Sequence, residues 1–150
     1  MAIFDAMFEL SDNQTITTAA ASTNILDMVY ENLEMGAGTP LWLNVKVGAT
    51  AFTTGGDNDG TLTVALVYDT VAPVDGSSTV IYQTAALAEA NLTAGAWILR
   101  MPLPYNFDEE SIVGLYYTTA NTITAGTVDA WIDNGSQSSY DTQVTTSNIV

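Results

Sequence analysis

Residues 61–69, TLTVALVYD, decide how this chain is read. Leu62, Val64, Leu66 and Tyr68 recur at every second position, which places them on one face of an extended strand. A helix would scatter the same four side chains around its circumference. Immediately before them stands GGDNDG, residues 55–60. Gly, Asn and Asp tolerate the left-handed backbone angles that tight turns require, so this segment is read as the turn that launches the strand. A calcium loop is the rival. With Gly60 at the glycine position, Asp57 and Asp59 fall on ligand positions, which makes them the candidate metal residues. Gly55 then stands where the first carboxylate belongs, and Leu66 where a bidentate Glu is needed. A phosphate loop is excluded for lack of a terminal Lys-Ser/Thr pair.

The same alternation runs outward in both directions. LWLNVKV (41–47) sets Leu41, Leu43, Val45 and Val47 against Trp42, Asn44 and Lys46. FDAMFEL (4–10) groups Phe4, Ala6, Phe8 and Leu10, and WILRMPL (97–103) groups Trp97, Leu99, Met101 and Leu103. Further strand candidates are TITTAA (15–20), TNILDM (23–28), TVIYQT (79–84), SIVGLYYT (111–118) and TVDAWI (127–132). Short runs rich in Val, Ile, Thr and aromatics, parted by Gly, Asp, Asn, Pro or Ser, predict an all-β protein. The expected fold is an antiparallel jelly roll or β-sandwich of about eight strands. TAALAEAN (84–91) favours helix by composition but is too short to change the class. One domain is expected over residues 1–132. From Asp133 the chain turns polar, which predicts an extended C-terminal tail over 133–150.

Seventeen acids face two bases, Lys46 and Arg100, for a net charge of −15. Phosphate backbones are bound mostly through Lys and Arg, so no nucleic-acid partner is expected. An anionic membrane would repel such a chain. No stretch approaches the ~18 apolar residues of a membrane span, and MAIFDAMFELSD lacks the basic and apolar regions of a secretion signal. The acidity favours solubility, and a salty habitat or a basic partner would each account for it.

Neither cysteine nor histidine occurs. Disulfides, thiol nucleophiles and thiolate metal sites are thereby excluded, together with the usual general base. Asp108, Glu109 and Glu110 are adjacent in sequence, whereas a glycosidase holds two carboxylates about 5–10 Å apart across its substrate. Lys46 is mid-strand with no serine motif near it, so a Ser–Lys pair has no basis. The expectation is a protein that is not an enzyme and carries no cofactor. The tryptophans say more. Alternation assigns Trp97 to the core, while Trp42 shares a face with Asn44 and Lys46, and Trp131 with Asp129. Outward Trp is enriched at interfaces.

The segments MAIFDAMFELSDNQTITTAAASTNILDM (1–28), PLWLNVKV (40–47), TLTVALVYD (61–69), LTAGAWILRMPLP (92–104) and ESIVGLYYTTANTITAGTVDAWI (110–132) carry a resemblance. In that order they resemble the capsid cement, or decoration, proteins of tailed bacteriophages, of the jelly-roll type found in some short-tailed phages. The resemblance implies an eight-stranded jelly roll on the outer surface of the virion's capsid, clamping neighbouring major capsid proteins after synthesis in the host cytoplasm. It brings no catalytic residue. The chain departs from the pattern at NFDEESIVGL (106–115), where relatives carry basic residues. The expected partners are the major capsid protein and further copies of the chain, as a homodimer or homotrimer. The expected contact residues are Ile3, Phe4, Asp5, Met7 and Phe8, the two outward tryptophans, and the tail from Tyr140 to Val150. The alternative is a carbohydrate-binding module, with Trp42 and Trp131 stacking on sugars and Asp57 and Asp59 holding calcium.

Overall fold

The computed structural model describes residues 6–28, 41–104 and 111–133. Within them lie ten strands: β1 (Glu9–Thr15), β2 (Ala20–Ala21), β3 (Leu26–Asp27), β4 (Trp42–Val47), β5 (Thr61–Asp69), β6 (Thr79–Gln83), β7 (Leu87–Ala88), β8 (Trp97–Pro102), β9 (Ile112–Ala120) and β10 (Thr127–Asp133). All pairings are antiparallel. The first sheet runs β1-β10-β4-β8 and the second β2-β9-β5-β6. Because β3 also pairs with β9, and β7 with β5, the ten segments fill eight strand positions. Numbered by position, the sheets read 1-8-3-6 and 2-7-4-5. That is the order produced when a long hairpin is rolled into two facing sheets, the jelly roll.

The alternating faces explain why the sheets close. Leu43, Val45 and Val47 of β4, Val128, Ala130 and Ile132 of β10, and Leu62, Val64 and Leu66 of β5 all point between the sheets. Leu115 and Tyr117 of β9 meet them there. Tyr117 is fully buried, and its hydroxyl spans the sandwich to Ser11 Oγ of β1 at 2.8 Å. Burial pushes the Tyr117 phenol well above its ordinary value. Ser11 keeps a second partner by donating to Gln14 Oε1 at 2.7 Å.

Three local expectations are corrected. In FDAMFEL, residues Ala6–Phe8 form a 3₁₀ turn, and the strand begins only at Glu9. The paired segment ELSDNQT is largely polar, and the register shifts twice along its pairing with β10. TITTAA is not a strand: Ile16, buried in the core, donates its amide to Gly126 as the chain leaves the first sheet for the second. TAALAEAN forms no α-helix; it supplies β7 and a 3₁₀ turn, Glu89–Asn91.

GGDNDG is a connection between the two sheets, not a hairpin, with Gly55 and Asn58 at positive φ. It is tied down from below. Thr54 Oγ1 accepts from the Asn58 amide at 2.9 Å and donates to Glu89 Oε2, itself buried, at 2.8 Å. Asn121 donates to the Asp59 carbonyl at 2.8 Å.

Candidate interaction face

The outward side of the first sheet collects most of the chemistry this chain owns. Cross-strand pairs in an antiparallel sheet share a face, so the register gives its composition row by row. One row reads Glu9, Trp131, Asn44, Arg100 across β1, β10, β4 and β8. The next reads Asp129, Lys46, Trp97, and the row on the other side Asp133, Trp42, Pro102. All three tryptophans and both bases of a chain with a net charge of −15 therefore stand on one surface.

Trp97 arrives there through a register shift. β8 pairs Leu99 with Val45 but Trp97 with Lys46, so a bulge falls at Ile98. One extra residue turns every side chain beyond it to the opposite face. This overturns the assignment of Trp97 to the core: Ala96, Ile98, Leu99 and Met101 pack against the core instead. Alternation alone carries no sign of a bulge, which is why sequence reasoning missed this residue.

The rings and cations then order one another. Trp97 and Trp131 meet with centroids 5.8 Å apart and planes tilted by 52°. The Arg100 guanidinium sits 4.7 Å from the Trp97 centroid, and Lys46 Nζ 5.7 Å from that of Trp131. Lys46 also pairs with Asp129 Oδ2 at 3.4 Å, both side chains about a fifth exposed. The other carboxylate oxygen of Asp129 accepts from the Asn13 amide at 2.7 Å. Cation–ring contacts at such positions contribute ~0.5–1 kcal/mol each and hold long side chains in one pose. Trp131 is only 8% exposed and Asn44 is fully buried, although both face away from the core. Around them Trp42, Trp97 and Glu9 are half-buried, and Arg100 is exposed.

Charge on the face is divided. Glu9 and the exposed Asp12 lie on β1, at one margin, while Arg100 lies on β8, at the other. Partial burial holds the Glu9 carboxyl above its ordinary range, and the charges of Asp12 and Asp129 push it the same way.

The structure brings two of the expected contact residues, Trp42 and Trp131, onto this face. Met7 is exposed on the 3₁₀ turn beside β10, while Phe8 packs against the core. Ile3, Phe4 and Asp5 lie outside the described residues, as do Asp108, Glu109 and Glu110. Asp133 closes β10; the rest of the expected tail, with Tyr140 and Val150, is likewise outside. Asp57 and Asp59 are exposed in the β4–β5 connection, and among the described residues no three acids are grouped as a metal site requires. Sequence reasoning missed Arg100 and undervalued Lys46, since only the fold brings these distant positions together.

No curated protein matches the chain. Residues 10–132 match the model of the family described as Bbp16, and over so much of its length the chain belongs to that family.

Proposed function

We propose that this member of the Bbp16 family is a structural protein of the virion, a cement protein that binds the outer surface of a phage capsid and stabilises it by clamping neighbouring major capsid proteins. The observation that carries the reading is the outward face of the first sheet. Aromatic residues and Arg are the types enriched where proteins meet, and here they surround a centre already withdrawn from water. The resemblance of the sequence segments to phage cement proteins supplies the partner and the location. A symmetric shell presents each binding site many times, so modest single contacts add once subunits are joined.

A sugar-binding role is less well supported. A stacking platform offers a bare ring to the sugar, whereas Trp131 is covered by Trp97 and Lys46. The test is direct. Capsids stripped of this protein are expected to open at lower temperature, and adding it back to restore the wild-type transition. Capsids indifferent to its return would end the proposal, and binding on a glycan array would redirect it to the sugar.

A further inference from the structure

We propose that residues 134–150, which follow β10 directly, fold back over the outward face of the first sheet and hold it against other occupants. The covering rests on the burial of that face; the competition with a partner rests on the proposed function.

Asn44 is fully buried and Trp131 only 8% exposed, although both point away from the core. Neighbours within a sheet screen a side chain from its flanks, and taking the last of its surface from water needs atoms above it. Asn44, Lys46, Arg100 and Trp131 each hold a further partner besides those named above. Residues 134–150 lie outside the described residues, and the topology makes them the best placed to supply this cover. β10 is a central strand, so Asp133 releases the chain over the middle of the sheet, in the row of Trp42 and Pro102. The chain before β1 and after β8 leaves from the margins, and residues 29–40 are committed to bridging the second sheet to the first. Asn134-Gly135 is a strong signal for reversing direction. A reversed chain finds no edge to pair with, since β1 and β4 already flank β10, and so must pass above the face. The eight steps from Asp133 to Asp141 reach up to ~26 Å, enough to rise one layer of ~10 Å and run back along two rows. The segment suits the surface it meets. Asp141 is its single charge in a chain of −15, so it adds little repulsion, and it arrives where both bases stand. Tyr140 and Val144 supply apolar surface to lay on the rings.

Every tryptophan of the chain stands on this face, so tryptophan fluorescence reports on it alone. In the full chain, Tyr140→Ser with Val144→Ser should raise quenching by acrylamide at least about twofold, as the cover opens. Unchanged quenching would overturn the covering. The absence of cysteine makes a second measurement clean. Arg100→Cys with Asp141→Cys should close a disulfide within one chain at least about tenfold faster than Thr118→Cys with Asp141→Cys, because Thr118 is exposed on the second sheet. Equal rates, or disulfides formed between copies instead, would also overturn it. On stripped capsids the Tyr140/Val144 variant should bind at least about threefold more tightly than wild type, since the face no longer has to be cleared. Equal or weaker binding would overturn the competition. Failure of both chains to bind would overturn the proposed function, and with it the competition, while the first two measurements still decide the covering.

Discussion

On the second sheet, the outward side chains Ala65, Val67 and Ile112 are roofed by Val74, with Ile25 and Tyr116 beside them. On the first, Trp97 and Trp131 contact each other, Arg100 lies over Trp97 and Lys46 over Trp131, with Trp42 on the same face. The roof is tightly fastened. Ser78 Oγ donates to Asp69 Oδ2 at 2.9 Å and accepts from the Asp75 amide at 2.8 Å. The Asp75 carboxylate in turn accepts from the Ser77 hydroxyl at 2.6 Å and the Ser77 amide at 2.7 Å, bonds that hold it below its ordinary range. Gly114 lets the roof descend: a Cβ there would lie 2.8 Å from Val74 Cγ2 and 3.2 Å from Ser22 Oγ. Among the described residues, one flank is thus roofed by apolar side chains and Ser–Asp bonds, whereas the other carries rings and cations. Changes on the two flanks should accordingly register in different measurements.

The largest contrast is expected from paired substitutions. Val74→Asp buries an uncompensated charge beneath the roof and should cost about 3–5 kcal/mol in denaturant unfolding. Trp97→Ala, on the other flank, forfeits a ring pair and a cation contact and should cost only ~1–2 kcal/mol. Equal losses would erase the distinction between the roofed flank and the one that carries the tryptophans.

Tyr117 tests what the flanks share, the seam between the sheets. Its phenol holds a proton in the folded chain that the unfolded chain releases near pH ~10. Above that value the folded state holds more protons than the unfolded one, so stability is fully present below it and declines above it. Tyr117→Phe should cost ~1 kcal/mol at neutral pH, since Ser11 keeps Gln14, and should flatten the alkaline decline in thermal melts. An unchanged decline would mean that other tyrosines drive it.

The smallest effect sharpens the comparison most. Arg100→Ala should change thermal stability by only ~0.5–1 kcal/mol, the contribution of an exposed cation on a ring. A larger loss would mean that Arg100 serves the fold and not a partner.

Much of this architecture could be read from residues alone. The alternation in β4, β5 and β10 gave the class and the inward sets Leu43/Val45/Val47 and Leu62/Val64/Leu66, because period two is a direct consequence of the pleat. The polar β1 was missed because its place is fixed by pairing with β10, not by its own pattern. Ala65 and Val67 are buried on both counts, by strand and by roof, and no local signal announces a roof that comes from Val74. The candidate face was half legible. Trp42 and Trp131 followed from alternation, whereas Trp97 depended on a bulge, and the joining of Lys46 with Arg100 depended on β4 and β8 becoming neighbours.

Among the described residues, every irregularity of strand pairing falls at an edge strand of the sandwich. β2/β3 and β6/β7 are interrupted edges, and β1 and β8 are edges whose pairing slips, while β10 with β4 and β9 with β5 run without a break. Growth and loss of residues can therefore be absorbed at the hems while the four central ribbons keep step. A designer grafting a peptide onto this chassis should cut at the hems, where the cloth is already seamed.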